Sequence, residues 1–146
     1  MTKSLILCFV FVSLIFLIID ILWLTTTVKV IYRPALGSLL NDKPVIWAAV
    51  LFYFIYVIAL TLIVLKPALM TGSVFQAFWT GAVFGIATYG TYNLTNMATI
   101  KDWSASIVWI DMIWGGILTS FSSSAAIYIT KTIYSKLFPT TRRRRE

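Results

Sequence analysis

Two aspartates, Asp20 and Asp111, stand inside long apolar runs, and this setting makes them the first residues to weigh for chemistry. A charged side chain at the centre of a membrane helix costs on the order of 2.5 to 3.5 kcal/mol on insertion scales, so an acid in a span usually faces the bundle interior or a water-filled cavity. The two lie in similar strings, Ile19-Asp20-Ile21-Leu22-Trp23 and Ile110-Asp111-Met112-Ile113-Trp114. Residues three apart share a helix face, which places Trp23 beside Asp20 and Trp114 beside Asp111. Most other chemistry is closed off. The absence of histidine removes the commonest general base, proton shuttle and metal ligand together. The single Cys8 has no internal disulfide partner and reads as a packing residue. No metal site is expected, and no motif names a cofactor. Acid–base chemistry within a bilayer must use Asp20, Asp111, a tyrosine, or a lysine reaching in from a loop.

The elements that carry these acids are set by composition. Of 146 residues, 60% are hydrophobic and 12% charged, against roughly 25% charged in an average soluble domain. A water-soluble fold of this size could not cover its surface. The expectation is an all-α integral membrane protein, a single four-transmembrane-helix bundle occupying residues 1–146. Helices are expected over about 4–28, 45–65, 73–98 and 104–130, each long enough at about 1.5 Å per residue to cross a core of roughly 30 Å. Residues 29–44 collect Lys29, Arg33, Pro34, Gly37, Asp42, Lys43 and Pro44, so they are expected as a surface loop. Lys66-Pro67 is expected to end the second helix, because proline lacks the amide hydrogen that would continue it. Residues 131–146 are expected as a tail. The first helix is too long for a signal h-region, and no small-residue cleavage site follows it.

Depth joins the acids to other polar groups. Asp20 lies eight residues inside Val28, Tyr53 eight inside Val45 and Asp111 seven inside Ser104, each roughly 10 to 12 Å below the same face. They share a level. On the third helix Tyr89, Asn93 and Asn96 approach this face and form one stripe with Gly85. Tyr56 is too deep for an interfacial aromatic belt, as is Tyr53, so both hydroxyls need partners in the bundle. All four helices thus contribute to one polar zone: Asp20, Trp23, Tyr53, Tyr56, Tyr89, Asn93, Asn96, Asp111 and Trp114. The bland account of this zone is a hydrogen-bond network fixing helix register. Ala77, Gly81 and Gly85, with Gly116, Ser120 and Ser124, recur every four residues and read as close-packing faces. Trp47 and Trp103 fall at the expected membrane surface.

Orientation follows the bias of lysine and arginine toward cytoplasmic loops. The side of the termini holds Lys3, Lys66, Lys131, Lys136 and Arg142, Arg143, Arg144 and Arg145, against Lys29, Arg33, Lys43 and Lys101 opposite. Both termini are therefore expected in the cytoplasm. The net charge of +7 is concentrated in a tail just beyond a span, where anionic lipid headgroups are the nearest polyanion. The partner expected is the lipid bilayer rather than nucleic acid, and a homo-oligomer stays open.

The string Thr91-Tyr92-Asn93-Leu94-Thr95-Asn96-Met97-Ala98-Thr99, followed by Lys101, Asp102, Trp103, Asp111, Trp114 and Gly115, resembles a family of small bacterial membrane proteins catalogued as domain of unknown function 2177. Asp20 with Trp23, Tyr32 with Arg33, and Phe52-Tyr53 with Tyr56 are similar to its other recurring positions, so the resemblance covers nearly the whole chain. Asn93 departs from it, standing where many relatives are expected to carry aspartate. The resemblance implies a four-helix bacterial inner-membrane protein, multi-pass, with a polar zone; it implies no reaction. Three function classes stay open: a pocket or pathway for a cation, proton or small polar molecule, a membrane-embedded enzyme acting on a lipid or isoprenoid, and an accessory subunit of a membrane complex. Whether the chain is an enzyme is undecided by its sequence.

Overall fold

A computed structural model of the chain describes residues 2–137. Its backbone is an all-α bundle of four long helices: the first Thr2–Thr27, the second Ile46–Leu60, the third Val74–Thr99 and the fourth Ala105–Leu137. Three helical stretches, Thr2–Leu39, Ile46–Thr71 and Ala105–Lys136, are long and apolar enough to cross a membrane. The third helix matches the first at 26 residues, but its glycines, threonines and asparagines make it less apolar. The small residues and Asn93 point inward, with Ala77, Gly81, Gly85, Gly90 and Asn93 buried, while Phe75, Trp79, Val83 and Leu94 are exposed together with Thr80, Thr91, Thr95 and Thr99.

The first helix buries Cys8, Val12, Phe16 and Asp20, a four-residue repeat that draws one stripe down a helix. Polar Asp20 therefore continues the apolar seam. The fourth helix lies at the centre and packs chiefly against the third and the first. Third and fourth approach most closely at Gly85 and Gly115, where a Cβ added to Gly85 would overlap the Gly115 carbonyl. Gly81 is nearly as tight, since its Cβ would stand 3.0 Å from the Thr119 carbonyl oxygen and 3.1 Å from the Ser120 Cα. The close-packing face read from the four-residue spacing is thus present, with Gly115 as a member the spacing did not supply.

Three expected boundaries are corrected. Residues 29–44 are not simply a loop: the first helix runs on through a π-turn, Val28–Tyr32, a short helix, Arg33–Leu36, and a 3-10 turn, Gly37–Leu39. Lys66-Pro67 does not stop the second helix, which continues through a π-turn, Thr61–Leu65, into Lys66–Thr71 and ends where Gly72 turns left-handed at φ 68. The fourth helix runs to Leu137, seven residues beyond the expected 130, so the start of the tail is helical and its remainder, 138–146, lies outside the described residues.

The two proline errors share one cause. Ahead of each proline the preceding residue donates to a carbonyl five residues back, Arg33 to Val28 and Lys66 to Thr61. A helix interior rejects proline because its ring strikes the carbonyl four residues back and its nitrogen has no hydrogen to give. Widening one turn to π geometry slips that register by a residue, and each proline then starts a fresh α-turn, where no donor is required.

Candidate functional site

Asp20 and Asp111 are buried, 5% and 6% exposed, and each uses both carboxylate oxygens. The Tyr53 hydroxyl donates to Asp20 Oδ2 at 2.6 Å, and the Trp114 indole N–H donates to Asp20 Oδ1 at 3.0 Å. The Asn93 amide donates to Asp111 Oδ2 at 2.9 Å, and the Tyr32 hydroxyl donates to Asp111 Oδ1. Four helices and the extension of the first converge here. The first and fourth helices bring the acids, the second brings Tyr53, the third Asn93, and the extension of the first helix brings Tyr32.

The two Ile-Asp-x-x-Trp strings are crossed. Trp114 follows Asp111 by three residues but serves Asp20, while Trp23 follows Asp20 by three and donates at 3.2 Å to Tyr32, which serves Asp111. The two indoles stack between the acids with centroids 4.1 Å apart and planes 11° from parallel. Sequence spacing placed each tryptophan beside its own aspartate. The packing directs each toward the other.

No ion pair reaches either acid among the described residues; Arg33, next to Tyr32, faces outward and meets Asp42 at 3.5 Å. All four donors to the two carboxylates are neutral. Asn93 is fully buried, and with its amide spent on Asp111 and on the Tyr89 carbonyl at 3.2 Å, its Oδ1 has no partner.

Both acids open onto a cavity of roughly 460 Å³. Asp20, Trp23, Tyr53, Tyr56, Tyr89, Asp111 and Trp114, all selected from the sequence, line it. Asn93 stands behind Asp111, outside the lining, and Asn96 joins neither the lining nor the acids, pairing instead with Tyr92. Tyr56 shares a 2.7 Å hydrogen bond with Thr119 and receives Thr88 at 3.4 Å, which satisfies its hydroxyl one level deeper than the aspartates. Tyr32, Phe52, Thr88 and Tyr92 complete much of the wall and were not among the expected site residues. Tyr32, Phe52 and Tyr92 did carry part of the family resemblance, and that was the available signal for them.

A sequence profile of the family described as predicted membrane proteins, DUF2177, matches residues 5–128. The chain belongs to that family. No curated protein and no solved structure matches it. Family membership therefore carries a membrane location and leaves the cavity to be read from its own geometry. That geometry offers a pair of hydrogen-bonded carboxylates, an aromatic enclosure and a volume within the range of small-molecule sites.

Proposed function

We propose that the cavity binds a small organic cation, an amine or ammonium group, between Asp20, Asp111 and the surrounding rings. The observation that carries this reading is that, among the described residues, no basic partner reaches the two buried acids on the wall of an aromatic cavity. Neutral donors orient a carboxylate but do not cancel its charge, and an uncompensated charge in a low dielectric is costly. A ligand cation supplies the missing charge. Ring faces add attraction for a cation within about 6 Å of their centroids, most of all when water is excluded. The volume favours an organic group over a bare metal ion, because roughly 460 Å³ far exceeds what one ion and its oxygens fill. Asn93 supports the site from behind by fixing Asp111.

We further propose that the chain is a multi-pass protein of a bacterial inner membrane, with both termini cytoplasmic and Arg142, Arg143, Arg144 and Arg145 near anionic headgroups. The excess of basic residues on the side of the termini supports it.

Titration of the purified full chain with tetramethylammonium, against sodium at equal ionic strength, tests the site through the fluorescence of the stacked Trp23 and Trp114. Saturable binding that weakens at least tenfold in both Asp20→Asn and Asp111→Asn is expected. Equal responses to the two salts, or variants that bind as the parent does, would overturn the proposal.

A further inference from the structure

We infer that the ligand is an amphiphile, an amine or ammonium head on an aliphatic chain, which reaches the cavity sideways from the bilayer between the second and third helices. This rests on the cation reading above and adds the rest of the molecule and its route.

The route is drawn by where those two helices touch. The second meets the third at its π-turn, Thr61–Leu65, and along its continuation, Lys66–Thr71. Toward the other end the cavity lies between them, with Ala49, Phe52 and Tyr53 on one wall and Thr88, Tyr89 and Tyr92 on the other. Phe52 and Tyr92 at this gap are 45% and 58% exposed. In a membrane that exposure is to acyl chains, because both residues sit within helices well inside the bundle's length. A soluble cation has no stable place there. A molecule that is itself part lipid does.

A second groove, also of roughly 460 Å³, lies against the same two helices where they meet. Its walls are Ile63 and Val64 from the second helix and Trp79, Val83, Phe84 and Ala87 from the third, with Thr80 the one polar member. The two spaces share no lining residue and meet across a ring contact, Phe84 of the groove packing edge-on against Tyr56 of the cavity with centroids 5.4 Å apart, so the aliphatic chain is inferred to pass over this contact on the lipid side. From Tyr89 to Trp79 the third helix advances about 15 Å, with the carboxylates at one end and aliphatic and aromatic walls at the other. Charge at one end and hydrocarbon at the other is the pattern of a single-chain amphiphile. A free amine would leave the groove unused.

The test is a chain-length series on the full protein below micelle-forming concentrations: tetramethylammonium, octyltrimethylammonium and dodecyltrimethylammonium, beside octyl and dodecyl glucoside as neutral heads. Burial of each methylene is worth about 0.8 kcal/mol, close to fourfold in affinity, so the octyl compound is expected to bind at least a hundredfold more tightly than tetramethylammonium. Glucosides are expected to bind more weakly than the ammonium of equal chain. Val83→Trp and, from the opposite wall, Ile63→Trp are each expected to lower the octyl-to-tetramethyl affinity ratio at least threefold. If tetramethylammonium binds in an aspartate-dependent way and the octyl compound binds no better, this inference fails and the cation reading stands. If the glucosides match the ammonium series, and Asp20→Asn leaves both unchanged, the crevice is a detergent groove and both readings fail.

Discussion

Trp114 gives its indole N–H to Asp20 on the first helix, at 3.0 Å, although Asp111 lies one turn before it on its own helix. The reciprocal link runs from Trp23 through Tyr32 to Asp111. Each acid is therefore positioned by a residue that the other acid's helix supplies, and the stacked indoles hold the exchange in place. An interface built this way resists sliding, because a shift of one turn along either helix would break both links at once.

Trp114→Phe separates the two jobs of that side chain. The phenyl ring still stacks on Trp23, while Asp20 loses one of its two donors. Hydrogen bonds between membrane helices average about 0.6 kcal/mol and reach about 1.7, so the phenylalanine variant is expected to lose about 1 kcal/mol. Trp114→Ala also loses the aromatic pair, worth about 0.5 to 1.5 kcal/mol beyond its area, and the packing around it. Equilibrium unfolding in detergent should rank the parent first, phenylalanine second and alanine last by a clear margin. Equal losses in the two variants would show that stacking contributes nothing.

Depth counting placed Asp20, Tyr53 and Asp111 together because it needs only the rise of a helix and one shared face, and the structure joins Tyr53 to Asp20 directly. Asn93 followed from helical periodicity on the third helix, and it reaches Asp111. Asn96 followed from the same periodicity and does not reach it. Asn96 stands three residues, about 4.5 Å of rise, beyond Asn93 toward the turn into the fourth helix, and so lies past the level of Asp111. Tyr32 was hidden for a different reason. Charge and proline over 29–44 read as a loop, yet charged residues at a membrane surface do not end a helix, and a π-turn lets the chain pass Pro34. That extension carries Tyr32 to Asp111.

Gly85→Ala is expected to destabilise the bundle more than any other single methyl addition on the third helix. Its Cβ meets backbone, the Gly115 carbonyl, which cannot rotate away. At Gly116 the Cβ would stand 2.9 Å from Ile86 Cγ1, and a side chain can shift by a rotamer. Overpacking costs about 1 to 3 kcal/mol, so Gly85→Ala belongs at or above the top of that range and Gly116→Ala near the bottom. Thermal melts of the two variants in the same detergent check the order, and a Gly116→Ala loss as large as that of Gly85→Ala would mean that the helices separate more easily than this contact implies.

Topology has a direct readout. Reporter fusions after Glu146 and between Leu40 and Pro44 should report opposite sides, with the C-terminus cytoplasmic. Replacing Arg142, Arg143, Arg144 and Arg145 with glutamine leaves four basic residues on each side, so the orientation should become mixed. A uniform orientation after that change would locate the signal elsewhere in the chain.

Asp20→Asn and Asp111→Asn are each expected to fold, for reasons that differ between the two sites. At 111 the new amide brings two donors toward Asn93, whose buried Oδ1 is unpartnered; turning that side chain over lets Oδ1 accept. At 20 the amide oxygen keeps Trp114, which can only donate, while the amide nitrogen meets Tyr53, whose hydroxyl can accept. Each single variant is thus expected to cost no more than about 1 to 2 kcal/mol, the range of one compromised buried hydrogen bond. The double variant carries the sharper expectation. Because the acids are linked through the Trp23 and Trp114 stack and Tyr32, the two losses should fail to add by more than about 0.5 kcal/mol, the coupling typical of residues in one network. Unfolding free energies of the parent, both single variants and the double variant close that cycle. Strict additivity would show two separate hydrogen-bond clusters that share a wall.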